Sequence, residues 1–134
     1  MITEDYVSYE VAKLLKEKGF NEPTFTYYNN DGDLMNSCNF CGSYTLGCFN
    51  NVKDEKVNCA APTLQMAMKW LREVHNILLF LLPAQENGKL VYLVEVWTWN
   101  EEEGIYESTY APMPRKEPEK AIESALKYVL ENLI

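Results

Sequence analysis

Residues 62–82 read Pro62-Thr-Leu-Gln-Met-Ala-Met-Lys-Trp-Leu-Arg-Glu-Val-His-Asn76, followed directly by Ile77-Leu-Leu-Phe-Leu-Leu82. From Ile77 onward six apolar residues follow one another, closed by Pro83, and such a run is too short to cross a bilayer. It predicts a strand that is buried on both sides. The residues before it predict a helix, because apolar side chains recur with helical spacing at Leu64, Ala67, Leu71 and Val74.

Two more helices are predicted outside this central stretch. The first covers residues 3–18, with Thr3 as its N-cap or, as an alternative, Ser8. Gly19 suits the left-handed position after the last turn, and Phe20 is then expected to fold back on the helix in a Schellman motif. The last helix follows Pro118, and its apolar stripe consists of Ile122, Ala125, Leu126, Val129, Leu130 and Leu133.

The strands are predicted from β-branched and aromatic residues that lie between turn signals. Residues 24–28 precede Asn29-Asn-Asp-Gly32, so we expect a first hairpin that returns through Leu34 and Met35.

A second set of strands is predicted around Asn87-Gly88, the strongest hairpin signal in the chain. It joins residues 77–82 to residues 89–99, and a further turn at 101–104 leads into residues 105–110. This order predicts a three-stranded antiparallel meander.

These elements predict an α+β fold of two layers, in which a mainly antiparallel sheet has three helices packed on one face. The 134 residues fit a single α+β domain covering 1–134, and the 47% of hydrophobic residues is an ordinary value for a globular protein.

The charge balance is acidic, with 20 acidic against 12 basic side chains and a net charge of −8. Such a surface repels phosphate groups, so nucleic acid is not expected as a partner. Glu4 and Asp5 stand where a signal peptide would be basic, and no transmembrane segment is visible. We therefore expect a cytoplasmic protein that does not interact with membranes.

Four cysteines form the one pattern that suggests a metal, with the spacing Cys38-x₂-Cys41-x₆-Cys48-x₁₀-Cys59. A C-x₂-C pair is the usual first half of a structural zinc site, but Cys48 and Cys59 are too far apart to form the second half. Free thiols and no cofactor are the favoured expectation, and a zinc site formed by all four cysteines is the alternative.

No catalytic motif is visible: the sequence lacks a Walker loop, G-x-G-x-x-G, H-E-x-x-H and G-x-S-x-G. His75 is the sole histidine, near the end of the second helix, where the helix dipole would favour an imidazolium. We therefore expect a protein that is not an enzyme.

Alternation along residues 90–99 divides the aromatic side chains between two faces. One face is uniformly apolar (Leu90, Tyr92, Val94, Val96) and is expected to be the core. The other carries Val91, Leu93, Glu95, Trp97 and Trp99. Trp97, Trp99 and Glu95 are therefore expected on an outer face, as a contact for a partner or for a second copy. The alternative is that residues 36–59 cover them.

Three stretches resemble a family of small uncharacterised proteins encoded by phages and mobile elements of gut Bacteroidales, with no known activity. They are Ile2-Thr-Glu-Asp-Tyr-Val-Ser with Glu10-Val-Ala-Lys-Leu-Leu-Lys-Glu-Lys-Gly-Phe20, then Ala61-Pro-Thr-Leu-Gln-Met-Ala-Met-Lys-Trp-Leu-Arg-Glu-Val-His75, and Ala125-Leu-Lys-Tyr with Leu130-Glu-Asn-Leu-Ile134. The cysteine segment is not part of the resemblance. The resemblance to this family implies no functional residue.

These observations favour a small acidic protein-interaction module, an accessory protein of a phage or mobile element. The alternatives are a zinc-stapled module and a small-molecule-binding domain with a pocket beside residues 36–59. An outer face with two tryptophans and an open edge at residues 105–110 also predicts a homodimer.

Overall fold

The computed structural model describes residues 1–36, 58–110 and 114–134. In chain order, the elements within these ranges are α1 (Tyr9–Glu17), β1 (Thr26–Tyr28), β2 (Leu34–Asn36), β3 (Cys59–Ala60), α2 (Leu64–His75), β4 (Ile77–Glu86), β5 (Lys89–Asn100), β6 (Ile105–Tyr110) and α3 (Pro118–Asn132). They belong to two compact units, Met1–Thr63 and Leu64–Ile134. No described helix is both long enough and apolar enough to span a membrane.

The α+β class and the antiparallel pairing of the strands are confirmed. The described strands form two three-stranded sheets, with the orders β2-β1-β3 and β4-β5-β6, whereas the sequence predicts a single sheet carrying all three helices. Pairing between distant strands is set by tertiary packing, which local sequence patterns do not encode.

Helix α1 begins at the alternative cap and ends as predicted. Ser8 caps it, since its Oγ accepts a hydrogen bond from the Val11 amide at 3.2 Å, so a start at Thr3 is wrong. At the other end, the Phe20 amide donates to the Leu15 carbonyl and the Gly19 amide to the Lys16 carbonyl. This is the Schellman pattern, and it requires the left-handed backbone that Gly19 adopts, with φ 93°.

The sheet of the first unit contains the predicted first hairpin. Strand β1 pairs with β2 through a turn in which Asn29 Oδ1 accepts from the Asp31 and Asp33 amides, both at 2.9 Å. On its other side β1 pairs with β3, and the buried Tyr28 hydroxyl donates to the Val7 carbonyl at 2.6 Å. The hydroxyl of this core tyrosine is therefore satisfied by backbone.

The predicted meander forms the sheet of the second unit. Asn87 and Gly88 have φ values of 52° and 75°, as a two-residue hairpin turn requires, and they place Glu86 opposite Lys89. The register then continues without a bulge as far as Ile77 opposite Thr98.

Pro83 lies inside β4, and the expectation that it closes the strand is wrong. It stands opposite Tyr92, whose amide and carbonyl both bond to Arg115 on the far side of β5. Backbone groups alternate in direction along a strand, so the backbone at position 83 points away from β5. Because β4 is an edge strand, the missing N–H of Pro83 removes no hydrogen bond from the sheet.

The face of the meander that carries Val94 and Val96 is buried, since α2 and α3 pack against it. Its core residues also include Ile77 and Leu79. On the opposite face of β5, Val91 is buried as well, so its assignment to the outer face is wrong. The prediction that residues 77–82 are buried on both sides is wrong, because Phe80 and Leu81 are exposed.

The predicted apolar stripes also reach beyond the region that the second unit buries. Leu90 is 56% exposed, near the hairpin turn, although alternation places it on the core face. Val74 and Leu133 are exposed at the ends of their helices, so their assignment to buried stripes is wrong. In each case the residue lies at the end of an element, where no neighbouring element of the unit covers it.

Candidate functional site

The residues predicted as a contact site lie together on the face of the meander that the helices leave uncovered. Glu95, Trp97 and Trp99 alternate along β5 and therefore point to the same side. The register adds further neighbours on this side, because residues directly opposite one another share a face. We call this surface the aromatic face; it consists of Leu78, Phe80, Glu95, Trp97, Trp99 and Tyr106.

The aromatic rings of this face contact one another in pairs. Phe80 meets Trp97 edge to face, with ring centroids 6.4 Å apart and planes at 86°. Trp99 meets Tyr106 at 4.9 Å and 65°. Both arrangements suit the quadrupoles of the rings. Exposure nevertheless remains high, at 46% for Phe80, 42% for Trp99 and 40% for Tyr106.

The aromatic face is concave at its centre. An open cavity of about 290 Å³ is lined by Leu78, Phe80, Trp97 and Tyr106. The Tyr106 ring is held in place, since its hydroxyl donates to Asn76 Oδ1 at 2.5 Å. Asn76 follows the last residue of α2 and has φ 57°, a left-handed conformation that asparagine tolerates. The end of a helix thus orients one wall of the cavity.

The charge around this surface is strongly negative. Residues 77–110 contain six glutamates and one lysine. Glu95 stands within the aromatic face, directly opposite Phe80, and Glu101, Glu102 and Glu103 are exposed at the turn that ends the sheet. An aromatic surface with carboxylates in and around it attracts cationic side chains through both Coulomb and cation–π interactions.

Sequence patterns alone do not place Leu78, Phe80 or Tyr106 in this site. The apolar run that contains Leu78 and Phe80 predicts a strand buried on both sides, which excludes both residues from an exposed face. The signal was nevertheless there: a two-residue turn at Asn87-Gly88 fixes the register and places Phe80 opposite Glu95.

Cys59 is the one member of the predicted zinc set that the described residues include. It is fully buried in β3, opposite Tyr28. Burial raises the pKa of its thiol to about 11, although Lys16 and Lys13 act in the other direction. Metal ligation needs the thiolate, which these surroundings disfavour.

Cys38, Cys41 and Cys48 lie outside the described residues, so the zinc site stays a prediction. Within residues 1–36, 58–110 and 114–134, no three metal-ligating side chains come together.

We predict that the Cys59 thiol reacts slowly in the folded protein. In a variant with Cys38, Cys41 and Cys48 replaced by serine, the rise of the Cys59 pKa from its ordinary value of 9.0 to about 11 lowers the thiolate fraction near pH 8 by about 100-fold. A colorimetric disulfide reagent should therefore label Cys59 at least about 100-fold more slowly in buffer than in denaturant. Equal rates in the two conditions would contradict a buried thiol.

His75 ends α2 with its ring against Trp70, at a centroid distance of 4.6 Å. Its Nε2 is buried, and among the described residues it has no hydrogen-bond partner. Burial lowers the pKa of His75 from 6.5, so the imidazolium expected from the helix dipole is wrong. The cause is desolvation, which disfavours the charged form of the ring.

We predict that His75 makes the protein less stable in mild acid. Because the folded state lowers the pKa of His75, the unfolded chain binds the proton first as the pH falls. The free energy of unfolding should therefore be undiminished above about pH 7 and fall as the pH drops from about 6.5 through the folded pKa. Urea midpoints between about pH 7.5 and 5 measure this, above the range where most carboxylates titrate. His75→Gln should flatten the profile, and an unchanged slope would contradict the assignment.

A second cavity, of about 380 Å³, lies where α3 begins. Its lining mixes both signs of charge: Arg115, Lys116, Glu117, Lys120, Glu123 and Ser124. Arg115 Nε donates to Ser124 Oγ at 3.2 Å, and Arg115, Lys116 and Lys120 are exposed.

Comparison with known proteins assigns the chain to no family: no family model matches it, and neither a curated protein nor a solved structure is significantly similar.

Proposed function

We propose that this protein is a small, acidic, non-catalytic interaction module that binds a partner protein through the aromatic face. The observation that carries the proposal is the concave surface around Trp97, which presents exposed rings on the side of the sheet that α2 and α3 leave open. Aromatic side chains in shallow depressions are the usual anchors of protein–protein contacts. The resemblance to proteins of phages and mobile elements supports an accessory role, which belongs to the same proposal.

The expected partner carries positive charge. Glu95 within the face, with Glu101–Glu103 and Glu107 close to it, favours a partner that is rich in lysine or arginine. Such complementarity accelerates association and excludes acidic partners, and the tryptophan rings add cation–π contacts. The sequence favours a second copy as occupant, but a second chain of charge −8 would place like charges near Glu95.

Selection from a displayed random-peptide library tests the proposal. Wild-type protein should enrich peptides whose affinity falls at least about tenfold in Phe80→Glu and Trp99→Glu, because each change places a carboxylate in an apolar contact. Leu90→Glu is the matched control, since it makes the same charge change at an exposed leucine outside the aromatic face. It should leave binding unchanged.

Each variant is first compared with wild type by circular dichroism and thermal melting, which confines the result to folded protein. Peptides that bind all three variants as tightly as wild type would refute the aromatic face as the contact. A selection that enriches nothing above an unrelated acidic control protein would refute the interaction function.

A further inference from the structure

We infer that the partner docks as an extended segment of alternating basic and large apolar residues, which pairs with the open edge of β6 and continues the sheet. The inference rests on the proposed function and adds to it the conformation and composition of the bound segment. It follows from the direction of backbone groups along β6, from the difference between the two edges of this sheet, and from the side chains of β6.

The backbone of β6 has hydrogen-bonding groups directed away from β5. Tyr92 bonds to Arg115 on the β6 side of β5, with distances of 2.7 and 2.9 Å. Because direction alternates, Thr98 points the same way and bonds to Glu107, its partner in the register. The neighbouring residues of β6 must then direct their N–H and C=O groups outward. These residues are Tyr106 and Ser108.

The two edges of the sheet differ in how they are protected. At the β4 edge, Pro83 occupies an outward-facing position and removes a donor, which blocks pairing with another strand. The β6 edge has no proline or lysine, and its one charge is Glu107. Among the described residues no strand pairs with it. A further strand can therefore pair with the edge of β6 but not with the edge of β4.

The side chains of β6 define what an added strand must carry. Ser108 is small and exposed and lies directly opposite Trp97. A large apolar side chain placed beside Ser108 would therefore reach across it into the cavity at Trp97. The next residue of the added strand points to the other face, beside the exposed Glu107, where a lysine or arginine is favoured. Alternation of apolar and basic residues satisfies both positions.

The binding experiment uses a short capped peptide in which lysine alternates with leucine. Its Kd is compared by fluorescence anisotropy with that of the same peptide carrying one N-methylated central leucine, which keeps the charge. In an added antiparallel strand the amide of the residue beside Ser108 points toward β6, so this change removes a backbone donor of the contact. A third peptide replaces every lysine with glutamate. We expect N-methylation to weaken binding about tenfold, as one or two lost hydrogen bonds would. The acidic peptide should not bind.

The protein variants place the contact on β6. Ser108→Pro should weaken binding about tenfold, because it removes an outward donor without removing a bond to β5. Ser108→Ala keeps the amide and should bind as wild type does. If Ser108→Pro does not fold, the N-methylated peptide still decides the question with wild-type protein.

Four results would overturn the inference. The N-methylated peptide binding as tightly as its parent would reduce the contact to general electrostatic attraction. Equal binding by the acidic peptide would show that positive charge on the partner is not required. A wild-type dimer in light scattering that Ser108→Pro converts to a monomer would assign the edge to a second copy. Library peptides that depend on Phe80 but not on Ser108 would refute strand addition alone and leave the proposed function standing.

Discussion

Phe20→Ala is expected to lower the free energy of unfolding by about 3–5 kcal/mol, the range for truncating a fully buried aromatic residue. Phe20 is almost completely buried in the first unit, and its amide closes the end of α1 on the Leu15 carbonyl at 2.9 Å. Truncation to alanine leaves that backbone hydrogen bond intact. The loss of stability therefore measures the buried ring and the cavity that its removal creates. Urea unfolding followed by circular dichroism gives the value.

Phe25→Ala is the matched control, because Phe25 is 54% exposed in the same unit. It should change stability by no more than about 0.5 kcal/mol. Two variants that lose similar amounts would show that Phe20 does not belong to the core.

Leu126→Ala is the second large effect, with an expected loss of about 2–5 kcal/mol. Leu126 is fully buried at the middle of the apolar stripe of α3, which packs on β4 and β5. The surrounding side chains come from several elements and can close a cavity only partly, so the transfer and cavity terms add. Urea unfolding followed by circular dichroism measures this loss of stability, and the thermal midpoint of the variant should also fall.

Leu90→Ala makes the same chemical change at an exposed leucine of the second unit and should stay within about 0.5 kcal/mol of wild type. An unchanged midpoint for Leu126→Ala would remove the α3 stripe from the core. Both alanine variants of the second unit leave the aromatic face intact, so they should bind the alternating lysine–leucine peptide as wild type does under conditions where they are folded.

Part of the candidate site was predictable because the face of a strand follows from alternation. Trp97, Trp99 and Glu95 share one face whatever the rest of the chain does. Phe80 and Tyr106 join them through register, which the turns at 87–88 and 101–104 set. The concavity at Trp97 was not predictable, since it depends on how rings from three strands tilt against one another.

The sequence by itself determined what local chemistry controls: the end of α1 at Gly19 and the hairpin turn at Asn87-Gly88. It offered Thr3 and Ser8 as caps of α1, and the structure decided for Ser8. These features depend on a few neighbouring residues whose backbone preferences agree. Tertiary structure alone decided that the strands divide into two sheets, that Pro83 sits within an edge strand and that Phe80 is exposed. Burial depends on which distant segments cover a surface. An apolar run is compatible with burial of one face or of both faces, so the sequence pattern does not distinguish the two.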